Sequence, residues 1–321
     1  MERTHGITKR VIADTPVAIL DFETTGLTPG VDRVVEVSVV RVAPGSGPQI
    51  VFDTLINPVR PMAATEIHGI TDNDVAKAPR FLDIAGDLVD ALHGSVIAAY
   101  NVYFDIRFLE FELRNAGVDY EPPHFCLMYL RPMLGLGSRC TLEEACRHYG
   151  IACPAKHVAA NDSMASSALL AHYSDAARKQ GIRTFADLAK LKNYKFINSF
   201  AKDPFPPSSA FHLHSCGRRC SRAVPSHATA SSPQRAAISA YWDVLRTMHA
   251  DLEITDEELA CVMTERQRLR LSPQQIRSVH ARVFANIISQ FTHDQLLDDR
   301  EMEKLRRLHH CLAKLGWAPG Q

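Results

Sequence analysis

The sequence predicts a mixed α/β domain followed by a small all-α domain. Three observations carry that expectation. β-Branched apolar runs recur early, at Val17-Ala18-Ile19-Leu20, Val34-Val35-Glu36-Val37-Ser38-Val39-Val40 and Ile50-Val51-Phe52-Asp53-Thr54-Leu55-Ile56. Helical and strand patterns then alternate from Phe81 onwards, and past Gln234 every apolar pattern has a helical period.

The first strand is continuously apolar, as suits a strand covered on both faces. The next two runs are bounded by Gly and Pro and joined by short links, which favours an antiparallel meander. Phe81, Ile84, Ala85, Leu88 and Leu92 recur at helical spacing, and His93-Gly94 ends that helix. Ser95 to Tyr100 is the next strand, and a helix follows from about Phe104 to Ala116, stopped by Gly117. Thr141-Leu142-Glu143-Glu144 opens another helix as a capping box. Asn161 is read as the N-cap of a long helix running towards Lys179.

Residues 203–234 are rich in Pro, Ser, Ala and His with little apolar periodicity, the texture of a flexible linker. His212, His214, Cys216 and Cys220 lie in it, but their irregular spacing in so short a segment favours a linker over a zinc site. The expected division is therefore an extension over 1–15, an α/β domain over 16–202, the linker over 203–234 and a helical domain over 235–321. Helices are expected at Ala236 to Leu252, Asp256 to Arg270, Pro273 to Phe291 and Asp299 to Leu315. A repeat at a spacing of 43 relates Asp251, Ile254, Asp256, Glu258 and Leu259 to Asp294, Leu297, Asp299, Glu301 and Met302, as in duplicated helical hairpins.

The 321 residues carry 36 basic and 36 acidic side chains, so a site for a polyanion must be made locally. Eight scattered cysteines lack the dense framework of a small secreted domain and fit a reducing, cytoplasmic setting. No signal-peptide core forms near the N-terminus, and no apolar run approaches the roughly 18 residues needed to span a bilayer, so no membrane association is expected.

The chemistry is concentrated in Asp21-Phe22-Glu23-Thr24-Thr25-Gly26. Residues at i and i+2 of a strand share a face, so Asp21 and Glu23 point the same way where the strand runs out into a turn. A third carboxylate, Asp105, lies where a strand gives way to a helix and gains from the helix dipole. The fourth, Asp162, follows His157 by five residues. On an ideal helix that spacing turns about 500° and sets the two on different faces, so they converge more easily if His157 sits on the loop before the helix. A loop histidine with a pKa of about 6.5 suits a general base. Four carboxylates and a histidine are the parts for two-metal phosphodiester hydrolysis, and oxygen ligands select Mg²⁺ or Mn²⁺ over zinc.

These motifs resemble, in order, the three exonuclease motifs of the histidine branch of the DEDD superfamily, the DnaQ-like 3′→5′ exonucleases. The resemblance covers about residues 16–200. It implies an RNase H-like fold with a mixed five-stranded sheet, and two Mg²⁺ or Mn²⁺ ions held by Asp21, Glu23, Asp105 and Asp162. It also implies that His157 deprotonates the attacking water, with Thr24, Thr25, His68 and Asn101 against the terminal nucleotide. The position before Asn101, often histidine in that family, is Tyr100 here, a departure that bears on how the scissile nucleotide is seated. Tyr100, Tyr103 and Phe104 have rings that could stack bases; for the last two, packing beneath the site is the equal alternative. Residues from about 235 resemble a TerB-type helical domain through the duplicated acidic turn, which implies an interaction or regulatory module. Arg266, Arg268 and Arg270 read as a solvated basic helix face.

The expected activity is metal-dependent release of nucleoside 5′-monophosphates from single-stranded 3′ ends, DNA ahead of RNA, in repair or proofreading. The alternatives are a catalytically silent nucleic-acid-binding scaffold and a polymerase-bound proofreading subunit. Retention of every acid and of His157 argues against the first. The lack of a polymerase segment or an evident clamp-binding peptide argues against the second. A protein partner for the helical domain is also expected.

Overall fold

The structure, a computed structural model, describes residues 6–153, 157–215, 233–248, 256–291 and 299–316. Strands β1 (Val17–Thr24), β2 (Val34–Val42) and β3 (Gln49–Leu55) form the expected antiparallel meander. Two short helices follow, α1 (Thr65–His68) and α2 (Asp72–Val75), then α3 (Phe81–Leu92), β4 (Val96–Ala99) and α4 (Val102–Asn115). Next come β5 (His124–Cys126), α5 (Leu127–Met133), α6 (Leu142–Tyr149), α7 (Ala159–Lys179) and α8 (Phe185–Ala189). The sheet order is β3-β2-β1-β4-β5, with β4 and β5 parallel to β1. The sheet is thus mixed and five-stranded, flanked by helices.

The layers follow from the patterns. β1 is buried on both faces because α7 covers one and α3 and α4 pack on the other side of the sheet's core. Phe81, Ile84, Leu88 and Leu92 of α3 and Phe108, Leu109 and Leu113 of α4 are all buried, as their spacing predicts. β5 has no counterpart in the sequence reading. Three residues are too few to show a period, and the strand exists because β4 offers Ile97, Ala98 and Ala99 as register partners.

Two further differences have physical causes. Asn161 lies inside the first turn of α7 and is not its cap; the N-cap is Val158, and the work of capping is done from β2, whose Glu36 Oε2 accepts from Ala159 N at 3.0 Å. Residues 203–215, within the stretch expected as linker, lie against α3. Phe205 is buried, Ser208 donates to Asp90 through both N and Oγ, and Ser215 Oγ donates to Asp87. A Cβ on Gly86 would run into the His214 carbonyl, so the glycine is what admits this segment. Of the four residues weighed for zinc, Cys216 and Cys220 lie outside the described residues. Residues 6–15 are likewise packed, with Ile7 fully buried and its N–H bonded to Phe200 O.

The C-terminal region is helical, comprising α9 (Pro233–Met248), α10 (Asp256–Leu269), α11 (Pro273–Phe291) and α12 (Asp299–Lys314). Tyr241, Leu245, Val262, Val279, Val283, Leu308 and Leu312 form its core, and Tyr241 Oη meets His280 Nε2 at 2.6 Å within it. That core does not close on itself: Ala64 and Ile67, at the start of and within α1, complete it. Arg266 donates to Leu315 O and Arg268 pairs with Glu265, while Arg270 is exposed. No helix among the described residues is long and apolar enough to cross a membrane.

Candidate active site

The site forms where the C-terminal end of β1 meets the start of α7. Asp21 and Glu23 alternate with Phe22, so the two carboxylates share a face while the Phe22 ring joins the core. The β1–β2 register shifts between Glu23 and Thr24, the kind of irregularity that re-aims side chains at a strand end. Directly opposite Glu23 in register stands Glu36, 2 % exposed, and its carboxylate holds the N-terminus of α7. Ser163 on α7 adds a hydroxyl bond to Ser38 of β2 at 3.1 Å. These two ties fix where α7 begins and therefore where Asp162, in its first turn, is carried.

His157 sits on the loop before α7 with φ of +57°, a left-handed backbone that non-glycine residues rarely adopt. Its N–H donates to Asp162 Oδ2 at 3.1 Å, so the carboxylate clamps the turn that presents the imidazole. The ring is buried, with Nδ1 3.7 Å from Glu23 Oε1 and Nε2 3.3 Å from Asp243 Oδ2 on α9. Burial opposes a charge on His157, but Asp243 and Glu23 outweigh it and hold the imidazole well above its ordinary pKa. Burial also pushes Asp162 up to about 7, with His157 opposing the rise and Glu23 and Asp243 adding to it.

Asp105 lies a layer beneath, 2 % exposed in the first turn of α4. Its Oδ1 accepts from Phe22 N at 3.0 Å, which ties α4 to β1 between the two acids. Asn101 is the N-cap of α4 but makes no capping bond with its side chain. Its Oδ1 is buried without a hydrogen-bond partner among the described residues, and the side chain lines the cavity.

Thr24, Thr25 and His68 stand around the turn rather than on the cavity wall. The Thr24 hydroxyl donates to Gly26 O. The Thr25 hydroxyl donates to Asp32 and accepts from Arg33 N, and a Cβ on Gly26 would collide with the Asp32 carboxylate. His68 is 2 % exposed, its Nδ1 accepting from Ile70 N at 3.0 Å and its Nε2 3.2 Å from Ala63 O. Tyr100 lines the cavity with its hydroxyl donating to the Cys140 and Thr141 carbonyls. Tyr103 packs on Tyr129 and Phe104 on Phe108, beneath the site.

Five carboxylates, Asp21, Glu23, Glu143, Asp162 and Asp243, line the one cavity with a single histidine. Crowded acids of this kind repel one another, and a cation held among them relieves that repulsion. Glu23, His157 and Asp162 each bring a ligand atom within 4.8 Å of the others, and with the unpartnered Asn101 oxygen the donor set is rich in oxygen and fits a hard divalent cation. Three contributors escaped the sequence reading. Glu143 was read only within the capping box of α6. Glu36 had a signal, a lone carboxylate inside an apolar strand. Asp243, 81 positions beyond Asp162, had none.

Comparison with known proteins bears on the same segment. A family model described as exonuclease matches residues 18–170. A DNA polymerase III subunit epsilon-like protein of Rhodobacter capsulatus is 32% identical over 188 residues, 54% of this chain and 26% of its own length. A PolC-type DNA polymerase III of Thermotoga maritima is 30% identical over 197 residues, 60% of this chain and 14% of its own. The chain thus spans about a quarter or less of these relatives. Among solved structures, Exonuclease X in complex with 5′ overhanging duplex DNA aligns with a TM-score of 0.42 and 25% identity, over 55% of this chain and 98% of that one.

Proposed function

We propose, from the membership of residues 18–170 in the DnaQ-like exonuclease superfamily, that the chain is a metal-dependent 3′→5′ exonuclease releasing nucleoside 5′-monophosphates. The observation that carries the reading is the convergence on one cavity of Asp21 and Glu23 from the end of β1, His157 from the loop before α7 and Asp162 from the first turn of α7. Asp21, Glu23, Asp105 and Asp162 are the residues that would hold two Mg²⁺ or Mn²⁺ ions. Such ions, when bound, neutralise charge on the phosphate and make water a better nucleophile.

The chain's own residues do the rest. His157, turned off the helix by its left-handed backbone, in its neutral form accepts the proton of the attacking water at a ring nitrogen. Asp162 keeps that turn in place through the His157 N–H. Asn101 Oδ1, which has no partner among the described residues, accepts a hydrogen bond from the terminal nucleotide. Thr24, Thr25 and His68 shape the wall beside it by holding the turn and the α1 loop in one conformation. DNA is the first substrate to try, because the relatives are named as DNA polymerase III proteins, and the same names favour proofreading as a second reading of the biological role.

The test is a time course in Mg²⁺ on 5′-labelled single-stranded DNA, duplex DNA with a 3′ mismatch, and RNA. The expected products are ladders that shorten from the 3′ end, fastest on single-stranded DNA, with mononucleotides released. Asp21→Ala should release none. Internal cuts, or an Asp21→Ala variant as fast as the unmodified chain, would sink the assignment.

A further inference from the structure

The helical region sits on the site, not beside it. α9 packs on α1, and Ala64 and Ile67, the latter next to His68, are buried in the same core as Tyr241 and Trp242. The next residue along α9 is Asp243, which stands 3.3 Å from His157 Nε2. The histidine read as the general base is therefore held between Glu23 of its own domain and a carboxylate from the far end of the chain.

The consequence for access is severe. Glu23, Asn101 and His157 are 5 to 7 % exposed. The cavity left over the acids is about 50 Å³, whereas sites for small organic ligands begin near roughly 300 Å³. A nucleotide does not fit that space, and a phosphate entering it would meet the Asp243 carboxylate on the face of His157.

The remainder of the interface is of the kind that separates. Between α6 and the α9–α10 pair lies a second cavity in which the charged Glu143, Glu144, Arg147, Glu265 and Arg268 are mixed with the apolar Ala240 and Val244 of α9. Among the described residues, the sheet domain gives Ala64 and Ile67 to the buried apolar cluster, with Leu27 at its margin. Interfaces within a chain that mix charged and apolar groups are expected to open and close.

We propose that α9 is an autoinhibitory element: it covers the ground on which the 3′-terminal nucleotide would lie, with Asp243 seated on His157, and the site becomes competent only when α9 leaves α1. This rests on the exonuclease reading. Substrate strand and α9 then compete for the same surface, so nucleic acid bearing a free 3′ end is itself a ligand that displaces the helix.

The experiment uses the full chain with Trp317→Phe as background, since the protein has two tryptophans and Trp242 then reports alone. Asp243→Ala and the equally sized, uncharged Asp243→Asn are compared with that background for mononucleotide release in Mg²⁺ and for acrylamide quenching of Trp242. Both variants are expected to release nucleotide at least about tenfold faster, and quenching of Trp242 to rise about twofold. Equal rates, or unchanged quenching, leave the exonuclease reading standing and overturn the lock. A slower Asp243→Ala restored by Asp243→Asn overturns it in another way, making Asp243 a positioning residue for His157. No release from any form, on DNA or RNA, overturns the exonuclease reading and the lock with it.

Discussion

The sheet domain and the helical region solve the same burial problem differently. In the first, β1, β2 and β4 are sandwiched by α3, α4 and α7, and the apolar residues that face inward come from within residues 7–205. In the second, four amphipathic helices leave a face that Ala64 and Ile67 of the sheet domain must finish. Two layers around one core are self-sufficient, but a small bundle with an open face is not. What the difference teaches is that the helical region has a defined seat, and that this seat borders the candidate active site.

The comparison can be broken or sharpened at its shared residue first. His157→Ala should slow nucleotide release by about 10² to 10⁴, the usual range for losing a general base, and a loss under threefold in a steady-state assay would remove the base from His157. It also deletes the group that Asp243 meets, so the same variant should loosen α9, read as faster amide exchange across Tyr241 to Leu245.

Next in size is Trp242→Ala. Emptying a buried tryptophan site costs about 3 to 5 kcal/mol, and if the two cores are as unequal as they look, the loss falls on the helical region. Two-phase thermal unfolding should show the helical transition moving down while that of the sheet domain stays within a degree or two. A common shift of both transitions would mean that the cores are one.

The smallest expected effect belongs to Glu36→Ala. It strands the Ala159 N–H at the start of α7, and an unsatisfied buried donor costs about 1 to 3 kcal/mol. Denaturant unfolding should register that loss, and turnover should fall further than stability alone requires, because Asp162 and His157 ride on the helix start. Glu36→Gln keeps an acceptor and should recover most of both; if it recovers neither, Glu36 has a role other than holding α7.

Much of this was legible in the chain. The meander showed itself because β-branched runs bounded by Gly and Pro have one reading, and α3 because its apolar period spans three turns. The acid pair was legible because period-2 geometry is local: Asp21 and Glu23 share a face in any strand. His157 was placed off the helix by arithmetic on a five-residue spacing, and it lies there with a left-handed backbone. The misses are all non-local. β5 needed β4 beside it, the start of α7 needed Glu36, residues 203–215 needed the notch at Gly86, and Asp243 needed the seat on α1.

The sequence by itself determined the meander, β4, the longer helices, their order and the identity of the acids and histidine, because helix and strand periods, caps and turn residues act within a few positions of one another. Only the tertiary structure decided how those groups are held and what lies over them. A hydrogen bond from Ala159 to Glu36 and an ion pair from His157 to Asp243 each join residues more than 80 positions apart, and no local period records which distant side chain will arrive to satisfy a buried charge or an open helix end.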